Sequence, residues 1–407
     1  MTTAHATTVF LKKGRDASLQ RHHPWVFSGG IERIVGTPSA GDVVRVVDNR
    51  GSLLGVGAYS PSSQIRVRLF SFVDETIDRE FFKTRIARAI AKRELRDPEN
   101  TACRLIYGES DHLPGLIVDK YKDVLVCQFL FAGLEHWKPV LVELLTELSG
   151  CTTVYERSDT NSRDKEGLPQ TTGVLAGAAP STPVMIIENG MHFGVDIVTG
   201  QKTGFFLDQA DNRQYVRRKA AGKSVLNCFA YTGGFSVAAL LGGASHVVSI
   251  DSSAPALALA ESNLLANGID PSRHEAVDAN VFHLLRDYQQ SGKLFDMIIL
   301  DPPKFAENKN QVNKAARAYK DLALQASRLL VPGGLLVTFS CSGSIDLNLF
   351  QKITFPSRLV LVLFGNSDAE ICHSLAVRHK PQFHITAQVA DTDKFIHCHF
   401  LRLQFDD

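Results

Sequence analysis

Two hydrophobic rhythms divide the chain. From Val9 to about Val73 the apolar residues come in short alternating runs broken by glycine, at Gly41–Asp48, Leu53–Ser60 and Gln64–Phe70. A period of two puts one side of each run on a core, and Asn49-Arg50-Gly51 supplies turn residues between the first two, so this stretch predicts hairpins of a small β-barrel. Apolar residues at helical spacing among many arginines and lysines then predict an amphipathic helix over Asp78–Arg96, opening a second region. That region continues with the apolar run Leu116–Phe131, a helix-like stretch around Val140–Leu148 and a strand candidate at Thr152–Ser158. The segment Gly167–Pro183, rich in Gly, Thr, Ala and Pro, offers only Val174 and Leu175 to a core. It reads as a loop with a domain boundary near its end.

From about Pro183 the rhythm changes. Nearly continuous apolar runs at Ser224–Phe229, His246–Asp251, Phe295–Asp301 and Gly333–Cys341 alternate with helical stretches beginning at Phe235 and Pro255 and around Tyr319–Leu330. Strands buried on both faces and separated by helices predict a doubly wound parallel sheet, an α/β fold. A chain of 407 residues exceeds what one hydrophobic core usually supports. We divide it at residues 1–73, 74–185 and 186–407.

Charge alters the picture only locally. Forty-four Lys and Arg balance forty-three Asp and Glu overall, but residues 1–73 hold nine basic against four acidic side chains. The small β-module is therefore basic while the chain is not, a pattern compatible with a polyanionic partner. Seven cysteines, an odd number scattered singly with no CxxC pair, favour reduced thiols in a cytosol and argue against structural zinc. The start MTTAHATTVF has no basic stretch followed by an apolar core, and no apolar run reaches the ~18 residues needed to cross a bilayer. A cytoplasmic protein without membrane contact is expected.

Candidate chemistry gathers where the predicted strands end. The run Asn227 to Ser236 is a glycine turn leading from a strand directly into a helix, where free N–H groups meet a ligand. It is not GxGxxG, which lowers the case for a pyrophosphate. Asp251, closing the next strand, is placed to accept two ribose hydroxyls or to cap the following helix. Asp278, after the expected third strand, is placed to reach an adenine amino group or to serve as another cap. Upstream, Gly204 to Gln209 sets Phe205 and Phe206 beside Asp208 and Gln209. Asp301-Pro302-Pro303-Lys304-Phe305 closes the fourth strand, and the two prolines hold the backbone extended so that a carboxylate and carbonyls can face a planar base. Ser340-Cys341-Ser342 ends the next strand at the same edge. A cysteine there is commonly an inert core residue, but its place at the strand exit makes Cys341 a candidate nucleophile.

These motifs together resemble the bacterial 23S ribosomal RNA cytosine-5 methyltransferases. The resemblance covers roughly residues 8 to 352. It rests on His23-Pro24-Trp25-Val26-Phe27, the runs GDVVRVVD and SQIRVRL, Gly108-Glu109-Ser110-Asp111 with Leu113-Pro114-Gly115-Leu116, KTGFFLDQ with Asn212-Arg213, NCFAYTGGFS, DPPKF and SCS. It implies an amino-terminal PUA-type RNA-binding barrel, a central α/β domain and a Rossmann-like catalytic domain. It also implies S-adenosylmethionine as cofactor and 23S ribosomal RNA as partner. Carried onto this chain, the cofactor pocket would involve Asp208, Gln209, Phe229, Ala230, Tyr231, Thr232, Gly233, Asp251, Asp278 and Asp301. The nucleophile falls on Cys341.

C5 of cytosine is too weak a nucleophile to take a sulfonium methyl directly, so a thiolate must first add at C6. Asp301 is the expected N3 contact, and Lys304 a secondary candidate for stabilising negative charge. Many related enzymes carry a second cysteine beside the strand-four proline to release product; here Pro303 and Lys304 hold that slot.

Two rival readings remain at this point: a methyltransferase acting on an exocyclic amino group through DPPKF without a cysteine, and an RNA-binding assembly factor with a vestigial pocket. Whether two chains associate as a homodimer is left open. After Lys352 the sequence departs from the family pattern, so 353–407 reads as a divergent tail or the product of a changed reading frame, with an exposed sheet edge expected if closing strands are lost.

Overall fold

The computed structural model describes residues 7–94, 99–306, 308–354 and 361–362. Two compact units emerge. One runs to Ile186 and takes back Val195–Phe205; the other holds Ile187–Gly194 and the chain from Phe206 onward.

The first unit opens with six strands, β1 (Thr8–Leu11), β2 (Trp25–Phe27), β3 (Ile31–Val35), β4 (Val43–Val47), β5 (Leu53–Tyr59) and β6 (Ile65–Ser71), with the short helix α1 (Ala17–Gln20) after β1. They form one sheet in the order β2-β6-β5-β4-β1-β3, antiparallel except for β1 beside β4. The alternation that predicted these strands buries Val9, Leu11, Val26, Val44, Val46 and Val67 in a common core. Helix α2 (Arg79–Glu94) follows, then β7 (Ala102–Tyr107), β8 (Leu116–Tyr121), β9 (Val124–Phe129), α3 (Ala132–Ser149), β10 (Thr153–Ser158), α4 (Asn161–Glu166) and β11 (Thr171–Ala176). Arg68 on β6 ties this sheet to α4 and to the turn after β7, pairing with Glu166 at 2.9 Å and Glu109 at 3.4 Å.

One expectation needs correction here. The segment read as a loop contains β11, which pairs antiparallel with β10 at the sheet's end. An edge strand with neither face deeply covered has no need of the apolar alternation by which strands are recognised; its backbone ladder alone holds it.

The hairpin β12 (Val184–Glu188) and β13 (Met191–Val195) carries the chain between units. In the second unit the elements are α5 (Ala210–Lys219), β14 (Ser224–Cys228), α6 (Gly234–Leu241), β15 (His246–Asp251), α7 (Ala254–Ala266), β16 (His274–Asp278), α8 (Val281–Ser291), β17 (Phe295–Leu300), α9 (Val312–Arg328), β18 (Leu330–Thr338), α10 (Leu347–Thr354) and β19 (Leu361–Val362). All pairings are parallel, in the order β16-β15-β14-β17-β18-β19. Leu226, Cys228, Val248, Ile250 and Ile298 are buried on one face with Leu285 of α8 and Leu322 of α9. The strand order reverses at β14 and β17, and open α/β sheets bind ligands outside the carboxyl ends at such a point. The tail expected to diverge lies outside the described residues, apart from Ile353, Thr354 and the two residues of β19. Among the described residues no helix is long and apolar enough to cross a membrane.

Candidate active site

The turn after β14 is backbone under constraint. Phe229 and Tyr231 take φ of 61° and 48°, and Gly233 takes 76°. Side-chain-bearing residues rarely enter this region, and they cluster where a ligand or a switch demands it. Gly233 is required twice over: its φ is left-handed, and a Cβ would stand 2.7 Å from the Cβ of Ala260 on α7. What holds the turn is Asp251. Its Oδ2 accepts the Tyr231 N–H at 2.8 Å and its Oδ1 accepts the Ser253 N–H at 3.0 Å.

Capping is done by others. Ser253 caps α7 through the Ala256 N–H, and Asn280 caps α8 through the His283 N–H. Asp251 and Asp278 are thereby released from the bland role and lie in register at the ends of adjacent strands β15 and β16. Asp251 is half-buried and Asp278 exposed. Each carboxylate retains lone pairs for further donors.

Three supports for this turn went unread in the sequence. Glu188 of β12 and Arg213 of α5 form a buried pair, and Arg213 also donates to the Phe206 carbonyl at 3.0 Å. Phe206 in turn sets its ring edge-on to Tyr231, 5.6 Å between centroids. Asn263 of α7 donates to the Thr232 carbonyl at 2.9 Å and accepts the Gly194 N–H at 2.6 Å. Gln209 is buried, its Oε1 taken by Asn212 at 2.6 Å, while Asp208 beside it is half-exposed. The segment from Phe206 therefore reaches the turn through a ring contact and a guanidinium, with Asp208 the more accessible polar group.

The second cluster lies past β17 and β18. The Asp301 N–H bonds the Cys228 carbonyl at 3.4 Å, and the Phe339 N–H bonds the Leu300 carbonyl at 2.9 Å, so both strand exits remain tied to their neighbours. Cys341 is half-buried, with its Sγ 3.8 Å from the Pro302 carbonyl oxygen. Other thiols are differently placed: burial pushes Cys127 and Cys228 far above the ordinary thiol range and Cys103 up to about 11. Such thiols stay protonated and inert at neutral pH. Cys372 and Cys398 lie outside the described residues. Around Cys341, the hydroxyls of Ser340 and Ser342 both reach the Tyr319 oxygen at 3.1 Å. The Ser342 Oγ also accepts the N–H of Phe305 at 3.2 Å and of Ala306 at 3.3 Å. Lys304 is exposed.

The chain matches the PUA-like domain family over residues 9–72 and the S-adenosylmethionine-dependent methyltransferase family over residues 167–355. It is 52% identical over 359 residues to ribosomal RNA large subunit methyltransferase I of Shewanella denitrificans, covering 87% of this chain and 90% of that protein. The Photobacterium profundum protein of the same name is 52% identical over 357 residues, with the same coverage. The chain belongs to the ribosomal RNA large subunit methyltransferase I family.

Among solved structures, a protein from Streptococcus mutans assigned as an S-adenosylmethionine-dependent methyltransferase shares the fold at TM-score 0.73 and 24% identity, covering 85% of this chain and 89% of its own. SMU.776, assigned as a methyltransferase and solved in complex with SAH, superposes at TM-score 0.74 with 25% identity and the same coverage. The family's architecture, an amino-terminal PUA-like domain followed by a Rossmann-like methyltransferase, is the one this chain adopts. Its cofactor is S-adenosylmethionine. The residues present fit that group: a turn narrowed to a glycine at Gly233 and two in-register carboxylates suit a nucleoside carrying a cationic sulfur.

Proposed function

We propose that this chain methylates C5 of a cytosine in 23S ribosomal RNA, with Cys341 as the covalent nucleophile. The observation that carries the reading is the approach of Cys341 to the Asp301-Pro302 segment, Sγ to carbonyl 3.8 Å, at the same sheet edge as Asp251 and Asp278. The large-subunit RNA substrate follows the name its relatives bear. The residues of the cofactor pocket are, in this reading, Asp208, Gln209, the turn Phe229, Ala230, Tyr231, Thr232 and Gly233, and the carboxylates Asp251, Asp278 and Asp301.

S-adenosylmethionine supplies an electrophilic methyl group. The protein's part is to raise the electron density at C5. The Cys341 thiolate adds to C6 of the ring while Asp301, in its protonated form, donates to N3 and stabilises the resulting enamine. C5 then takes the methyl group, its proton passes to a general base, and the sulfur–C6 bond breaks to restore the aromatic ring. A cytosine reaches such an edge only when taken out of its stack, and the basic module of residues 1–73 is suited to hold the surrounding RNA by its phosphates. We assign residues 74–185 to a central domain and 186–407 to the catalytic one.

The amino-group alternative draws less support. It needs the aromatic of DPPKF to stack on the target base, whereas the Phe305 ring packs on Tyr319 at 4.8 Å and on Phe282 at 6.1 Å.

RNA in which the target cytosine is replaced by 5-fluorocytosine tests the reading. Wild-type enzyme with S-adenosylmethionine should form a protein–RNA adduct stable to denaturing electrophoresis, because fluorine cannot leave as a proton does. Cys341→Ala should form none and transfer no methyl group to normal RNA. Full methylation by Cys341→Ala would reject the covalent mechanism.

A further inference from the structure

Tyr319 is a buried phenol that the proposed chemistry does not use. It stands on α9, is 1% exposed, and packs its ring against Phe305 at 4.8 Å and edge-on to Phe350 at 5.1 Å. Its oxygen is the meeting point of the two serines that flank Cys341.

Counting lone pairs fixes the direction of these bonds. The Ser342 Oγ accepts two backbone N–H groups, from Phe305 and Ala306, which fills both of its lone pairs. Its own proton is then donated to Tyr319 at 3.1 Å. Ser340 likewise donates to Tyr319 at 3.1 Å and accepts the Ser342 N–H at 3.3 Å. Both serines are only 3% exposed. The phenol therefore accepts two hydrogen bonds and directs its own proton toward neither serine. Burial pushes the ionisation of Tyr319 above its ordinary range, against the pull of the two serine hydrogen bonds, so it acts as a neutral hydroxyl.

We propose that Tyr319 is a positioning residue for Cys341: its hydroxyl fastens residues 340 and 342 to α9 while Ser342 fastens the Phe305-Ala306 turn, so the sulfur is held at a fixed place against the Pro302 carbonyl. The mechanism is geometric. A cysteine at a strand exit has free rotation about its neighbours' backbone unless they are tied, and attack on C6 requires the sulfur within about 3–3.5 Å of carbon along one direction. Two serines anchored to one oxygen remove that freedom on both sides of Cys341. The Ser342 Oγ, itself tied to the phenol, links the SCS segment to the loop that follows DPPK, so nucleophile and Asp301 keep their spacing. This inference rests on the reading of Cys341 as nucleophile.

Tyr319→Phe removes one oxygen and keeps both ring contacts. In the full-length enzyme we expect the rate constant for adduct formation with 5-fluorocytosine RNA to fall about 10- to 100-fold. S-adenosylmethionine affinity by calorimetry and KM for RNA should stay unchanged, so the loss appears in kcat. Ser342→Ala should lose rate in the same way and Ser342→Thr, which restores a hydroxyl, should recover most of it. A purely structural role would lower thermal stability and leave the rate per folded molecule intact.

Wild-type rates in Tyr319→Phe would overturn the inference while leaving the nucleophile standing. If wild-type enzyme methylates RNA yet traps no adduct, both fall. Should Tyr319→Phe not fold, Ser340→Ala removes one donor from the phenol, together with the acceptor of the Ser342 N–H, and keeps the bonds of the Ser342 hydroxyl. The same rate loss is then expected, and an unchanged rate overturns the proposal.

Discussion

The guanidinium of Arg213 donates two hydrogen bonds to the carboxylate of Glu188, at 2.7 and 2.6 Å, with both side chains no more than 4% exposed. The stem of Arg213 also lies under the start of α6, where a Cβ on Gly234 would stand 3.2 Å from its Cδ. The pair thus joins a β-hairpin, α5 and the floor of the turn after β14. Breaking it leaves a desolvated charge without its counterion, so Glu188→Ala should cost on the order of 3–5 kcal/mol. Replacing both partners together, Glu188→Leu with Arg213→Met, should recover much of that loss. Urea unfolding of the three variants checks this, and an unshifted midpoint in Glu188→Ala would show the pair to be energetically idle.

Asp251 holds the turn by the Tyr231 N–H and is placed to accept from a ribose. Asp251→Asn keeps one acceptor oxygen but turns an NH2 group toward a donor. Hydrogen bonds to charged groups contribute roughly 1.5–3 kcal/mol, so S-adenosylmethionine affinity should weaken about 10- to 100-fold. Asp278→Asn, at an exposed position, should have a smaller effect. Calorimetric titration of both variants decides the ranking: equal losses would overturn it, and an unchanged affinity in Asp251→Asn would remove Asp251 from the pocket.

His274, at the start of β16, bonds the Ser249 hydroxyl at 2.8 Å. Burial and the neighbouring His246 push its imidazole down to about 4, with Glu275 opposing. An unfolded histidine titrates near ~6.5. Between these values the unfolded chain binds a proton that the folded chain refuses, so this contribution is intact above pH ~6.5 and is lost as the pH falls toward 4. His274→Gln, which keeps a bond to Ser249, should flatten the decline in thermal midpoint between pH 7 and pH 5. A slope identical to that of wild type would assign the decline to other groups.

Much of the catalytic sheet was legible because its strands are buried on both faces. His246–Asp251 stands where the apolar run placed it, and the other strand limits move by a few residues. The placement of the turn Phe229 to Gly233, Asp251, Asp301 and Cys341 was legible too, because parallel strands bring their carboxyl ends to one edge. Strand β11 was not, since an edge strand in a Gly- and Thr-rich segment leaves no alternation to read. Glu188 with Arg213 and Asn263 with Thr232 went unseen for a different reason. They join residues 25 and 31 positions apart, and nothing along the chain marks such partners.

The sequence by itself determined the order of strands and helices and the residue types at their exits, because burial and turn chemistry are written locally, one residue after another. It left undecided whether Asp251 and Asp278 were helix caps, and it gave Tyr319 no role beyond opening a helix. Only the tertiary structure decided these, by showing Ser253 and Asn280 at the caps and one phenol oxygen between the serines beside Cys341. The physical reason is that a hydrogen bond depends on position and direction in space, and those are set when separate elements pack together.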